Sequence, residues 1–153
     1  MIDRLFDVFR DLVGETPADD AVHDDSAIQL AAAGLMIEVA RSDTTHQQVE
    51  LAVIENVLLN QFDVASHQVE ELISAAGEQV EAAHDLYQFT RLINEHFNRE
   101  EKQQLILAMW LVAFADGHIE AIEDHIIRRV AGLIHLAHED FIRLKIEARD
   151  LAN

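Results

Sequence analysis

Apolar residues along this chain recur at intervals of three and four, and the stretches in which they do so are separated by short polar breaks. That is the period of a helix with one buried face. It predicts helices near residues 3–13, 26–42, 46–61, 66–82, 86–97, 99–115, 119–135 and 138–151. One proline and five glycines leave few places for a helix to break. Four of the starts pair a polar cap with Gln or Glu three residues later: Ser26 with Gln29, Thr45 with Gln48, Asp85 with Gln88, and Asn98 with Glu101. The first side chain accepts from an unsatisfied amide of the first turn, and the second reaches back to the cap. No stretch alternates long enough to predict a strand. The expected fold class is all-α, a compact bundle of about seven to eight helices.

Ile2, Leu5, Phe6, Phe9, Leu12 and Val13 fall on one face of the first predicted helix, which Gly14 and Pro17 end. The segment that follows, GETPADDAVHDD, is acidic and poor in core residues, so it reads as a linker. Residues 1–25 are therefore expected to be an amphipathic helix and linker, and 26–153 the helical domain. Asp3, Asp7 and Asp11 on the polar face of the first helix argue against a lipid surface and for packing on the body or on another copy.

The pattern also repeats. Met36, Val39, Ala40, Asp43 and Glu50 recur 73 residues later as Met109, Val112, Ala113, Asp116 and Glu123. After a slip of one residue, Phe62, Val64, Val69 and Leu72 recur as Ile134, Leu136, Phe141 and Leu144. Matching apolar positions are common to any two helix pairs. An acid just past one helix and a second acid seven residues on are harder to obtain by chance, and they predict two pseudo-symmetric repeats, each with an acid pair.

Composition narrows the function. At 153 residues and 50% apolar content, the chain can form one core without metal or disulfides. Cysteine is absent, which removes thiolate chemistry and fits a reducing compartment, so a cytoplasmic location is expected. The longest unbroken apolar run, 105–115, has 11 residues, against about 20 needed to cross a bilayer. The N-terminus, with acids inside it, does not read as a secretory signal. A formal net charge of −18 excludes nucleic acid and bare anionic lipid as natural partners. It leaves divalent cations and basic protein surfaces, with a homodimer as a further arrangement. Residues 1–76 carry 3 basic and 15 acidic groups, and 77–153 carry 8 and 14, so the first half is the more acidic.

Candidate chemistry sits at the repeated acids. After LILAMWLVAFA the chain turns at Asp116-Gly117, and Glu120 and Glu123 share a face near the start of the next helix. These three carboxylates are expected to converge, and oxygen-only ligands suit Mg²⁺, Ca²⁺ or Mn²⁺. The alternative is that Asp116 caps the helix while Glu120 and Glu123 favour its dipole. The first repeat retains only Asp43 and Glu50, because Thr44, Thr45 and Gln47 replace Gly117, His118 and Glu120. A first site would be the weaker of two, unless the halves pool their acids in one cluster.

The segment FADGHIEAIEDHIIRRVAGLIHLAHEDFIRL resembles the signature of TerB-like domains, named for a tellurite-resistance protein. It has an Ala-Asp-Gly turn, a branched apolar residue two positions on, a Glu seven after the Asp, and a helix, turn and acid-rich helix start. The resemblance covers about residues 26 to 150. It implies an all-α fold of paired helices, an acidic cluster as the place for a cation, and a part in tellurite or metal stress. Carried over by position, the cluster is Asp116, Gly117 and Glu123, with Asp43 and Glu50 in the first repeat. Such domains also occur beside chaperone J domains, but this chain has no His-Pro-Asp tripeptide.

Other patterns are weaker. His135-x-x-His138 followed by Glu139 has ligand spacing but straddles a predicted turn. Glu81-x-x-His84 is half of a di-iron pattern without its second motif. No Gly-x-Ser-x-Gly or phosphate loop is present, and Met109, Trp110 and Phe114 read as core. The expected function is a non-enzymatic acidic module for divalent cations or protein partners. Its alternatives are a metal-dependent enzyme built on Asp116, Glu120 and Glu123, which needs an open coordination position in a pocket, and a pure interaction scaffold, which needs an exposed apolar patch.

Overall fold

The structure, a computed structural model, describes residues 18–42, 47–117 and 119–152, with side chains from Ser26 on in the first helix and from Gln48 on in the second. The helix expected at 3–13, Asp43 and the cap at Thr45 lie outside the described residues. The helices are α1 (Ala18–Arg41), α2 (Gln47–Gln61), α3 (Val69–Ala82), α4 (Tyr87–His96), α5 (Arg99–Ala113), α6 (Ala121–Leu133) and α7 (His138–Ala152). A 3-10 turn, Phe114–Asp116, follows α5. Among the described residues there is no strand, and the fold is an all-α bundle.

The two halves, α1 to α3 and α5 to α7, pack alike. In each, the first helix lies mainly on the third, less on the second, and the second and third touch only slightly. Across the halves, α1 packs on α5, α2 on α5, and α6 on α1. Exchanging the halves maps this set of contacts onto itself, which is a pseudo-twofold. The joining helix α4 has no counterpart and lies mainly along α1.

Both central helices are buried almost all round: residues 31–37 and 39–40 of α1, and 105–110 and 112–113 of α5. Their sequences explain it, because a helix apolar on every side must be surrounded. The equivalent positions are buried in pairs, Met36 with Met109, Val39 with Val112, Ala40 with Ala113, and Ile54 with Ile127. The one-residue slip is visible in the backbone at the end of the second helix. The Val64 amide donates to the Leu58 carbonyl, six residues back, whereas Leu136 donates to Ala131, five back. Asp63 and His135, 72 residues apart, then take the left-handed conformation, with φ of 53° and 64°. They are the two non-glycine residues with positive φ among those described.

Helix boundaries differ from the periodicity in three places. Ser26 does not cap a helix, since α1 begins at Ala18; nothing between Pro17 and Ser26 is a breaker, so helix extends through ADDAVHDD. Gln29 of that expected cap instead donates from Nε2 to the Phe62 carbonyl at 2.9 Å. The helix predicted from 66 starts at Val69, after a turn. The expected cap at Asp85 forms as a short turn, with Oδ1 accepting from the Tyr87 amide at 2.9 Å. Asn98 and Glu101 make the full reciprocal capping box, with bonds of 2.8 and 2.9 Å.

Candidate functional site

Glu50 and Glu123 are both 0% exposed, each in the first turn of the second helix of its half. That turn offers free amides and the positive end of the helix dipole, which compensate a buried carboxylate. Glu123 Oε1 accepts from the Glu120 amide at 2.9 Å, in a capping-box arrangement. The cap of α6 is therefore Glu120, which is exposed, and not Asp116 four residues earlier.

Asp116 is half-buried at the end of the 3-10 turn, and Gly117 follows with φ of 97° while its amide donates to the Phe114 carbonyl at 2.9 Å. Open space surrounds the position of a Gly117 Cβ, so the backbone angle, not crowding, favours glycine there. The turn packs on α2 and α7. Asp116 is thus carried against the helix that bears Glu50, in the opposite half.

Of the three carboxylates predicted to converge, Glu120 and Glu123 stand at the start of α6, and Asp116 lies in the turn that packs on α2 and α7. Among the described residues no three His, Asp or Glu side chains are grouped to hold a metal ion.

Other acids carry partners that the periodicity does not announce. Asp124, next to Glu123, accepts from Lys145 Nζ at 2.7 Å and from Arg128 at 3.1 Å. Burial pushes its carboxyl up, but Lys145 and Arg128 outweigh that and hold it below the ordinary aspartate value. Asp140 binds Arg99 at 3.0 Å and Arg143 at 3.4 Å, and Arg99 first of all lowers its pKa. Glu101 is 1% exposed, and burial raises it. The i,i+4 spacing of Asp124 and Arg128 was a local signal; Lys145, 21 residues away, was not.

His135 and His138 are exposed, the first at a helix end and the second stacked on Phe141 with ring centroids 5.9 Å apart. Glu81 and His84 line a cavity of about 310 Å³ with Glu38, His125 and Arg129. Met109 and Trp110 are core, with Trp110 packed 5.1 Å from Phe141 between ring centroids, whereas Phe114 is half-buried. Among the described residues no helix is long and apolar enough to cross a membrane.

These features define an acidic all-helical protein of two related halves, with one glutamate buried at the same place in each. A family model described as tellurite resistance protein TerB matches residues 29–146, most of the chain, and the chain belongs to that family. No curated protein and no solved structure matches it.

Proposed function

We propose that this chain is a non-enzymatic acidic module that takes a divalent cation at its repeated acids, within the tellurite and metal stress setting that the family's description points to. The observation that supports this most is the complete burial of Glu50 and Glu123 at equivalent first turns. An exposed glutamate serves a helix dipole equally well without the cost of desolvation. Burial in both halves fits a task beyond capping. A hydrated Mg²⁺-like ion needs only one or two protein carboxylates, because it keeps several waters. Asp116, Glu120 and Glu123 are the donors in the second half, and Asp43 and Glu50 in the first. The first half lacks equivalents of Gly117 and Glu120, so it is the weaker. The net charge of −18 also suits a basic protein surface.

The test is thermal melting at fixed ionic strength with Mg²⁺, Ca²⁺, Mn²⁺ or Zn²⁺. A bound cation raises the melting temperature by mass action. The rise is expected in the parent, lost in Asp116→Asn and Glu123→Gln, and reduced less in Asp43→Asn/Glu50→Gln. Equal shifts in all four proteins would mean general screening and leave the protein-partner reading in its place.

A further inference from the structure

We propose that the apolar groove between α2 and the end of α5 takes an amphipathic helix of a partner protein, laid as the chain's own α4 lies in the other half. The groove has a volume of about 350 Å³, and Val53, Asn56, Leu111, Phe114 and Ala152 are among the residues that line it. The repeat offset of 73 residues, or 72 after the slip, turns these positions into Ile126, Arg129, Glu38, Arg41 and Val80. All five line the polar cleft of about 310 Å³ between α6 and the end of α1. The two hollows are the same place on either side of the pseudo-twofold.

The polar cleft is walled by the chain that follows α3. Residues 83–86, the connection to α4, form one side of it, and α4 then runs along α1 and reaches α6. Phe89 and Ile93, four apart, are buried on the inner face of α4, with Phe89 against Gly34 of α1. Asn94, the next residue, donates from Nδ2 to the Leu133 carbonyl at the end of α6, at 3.0 Å. The counterpart of Leu133 is Asn60, beside Gln61. Gln61 lines the apolar groove, is 3% exposed, and its Oε1 is buried with no hydrogen-bond partner. A buried acceptor of that kind calls for a donor. Where it waits in one half, α4 supplies one in the other, and among the described residues no helix lies on α5 as α4 lies on α1.

The residues that differ between the two hollows give the occupant its character. Glu38 and Arg41, paired at 3.8 Å, become Leu111 and Phe114, and Arg129 becomes Asn56. A surface left to water gains nothing from exchanging an ion pair for leucine and phenylalanine, whereas a surface that receives an apolar face does. Val49, 46% exposed and one turn before Val53, extends the same stripe. The partner helix so defined presents apolar side chains four apart, in the manner of Phe89 and Ile93, with a side-chain donor next to them, in the manner of Asn94. A second copy has no α4 to offer, because that helix already buries its apolar face on α1. None of this depends on what the repeated acids bind.

The probe is a synthetic peptide of residues 85–97, which carries the α4 sequence as a separate molecule. Added to the ¹⁵N-labelled full chain, it is expected to shift the amide signals of residues 53–61 and 111–115, and the shifts should saturate. The same peptide with Phe89→Asp/Ile93→Asp should shift none of them. In the protein, Leu111→Glu/Phe114→Arg gives the groove the ion pair of its counterpart, and it should abolish the response while the signals of α1 and α6 keep their positions. If that variant loses its native spectrum, the Asp peptide and the map of the shifts decide. The absence of shifts in the parent, shifts that the Asp peptide also produces, shifts confined to α1 and α6, or binding that the folded variant retains would each overturn the proposal. Sedimentation of the chain alone adds one further outcome: a dimer that Leu111→Glu/Phe114→Arg converts to monomer means that a second copy fills the groove, and overturns it as well.

Discussion

At the scale of single residues, the two left-handed positions show how the repeat treats its own weak points. His135 ends α6 with the double hydrogen-bond pattern of a helix stop: its amide donates to Gly132 at 3.1 Å and that of Leu136 to Ala131 at 2.9 Å. Glycine is the usual residue there, since a Cβ in this region costs about 1–2 kcal/mol. His135→Gly is therefore expected to stabilise the protein by about 0.5–1 kcal/mol, the strain relief less the added freedom of the unfolded chain. Urea unfolding with an unchanged slope would measure it. Asp63→Gly should gain less, because aspartate tolerates the region better. A loss at His135 would mean that its side chain makes contacts worth more than the backbone strain.

At the scale of helices, two glycines test how close the packing is. A Cβ on Gly34 of α1 would lie 2.9 Å from Phe89 Cε1 and 3.3 Å from Val80 Cγ2, side chains of α4 and α3 that are themselves buried. A Cβ on Gly77 of α3 would meet nothing within 4 Å. Ordinarily Gly→Ala inside a helix gains about 0.5–1 kcal/mol. Gly77→Ala is expected to show that gain. Gly34→Ala is expected to reverse it, with a net loss of about 1–3 kcal/mol from forcing Phe89 off its site. Denaturant titration of the two variants side by side decides it, and equal gains would show that α4 is free to move off α1.

At the scale of the whole molecule, ion pairs tie the helices of the second half together: Arg99 of α5 to Asp140 of α7, and Lys145 of α7 to Asp124 of α6. Asp124 is held below its ordinary pKa in the fold, so its contribution is present above the unfolded value near 3.8 and disappears as pH falls through the folded value. The melting temperature of the parent should exceed that of Asp124→Asn at pH 7, and the two should meet once pH has fallen below the folded value. Taking the difference removes the changing self-repulsion of a chain with net charge −18. A gap that persists to low pH would mean that Asp124 acts by packing and not by charge.

The order and register of the helices, the duplicated pattern and the buried central helices were legible in the amino-acid sequence, because all of these rest on a period of about 3.6 residues and on which residues must leave water. Met36 and Met109 share a fate for that reason, as do Glu50 and Glu123 in placement. Burial of those two glutamates was not legible: an acid in a first turn reads the same whether it faces solvent or a neighbouring helix. Tertiary packing alone set the Asp116 turn against α2, left Glu120 at the surface, brought Lys145 to Asp124, and used Gln29 to join α1 to Phe62. Each of these depends on which faces of distant segments meet, and a local period carries no record of the partner.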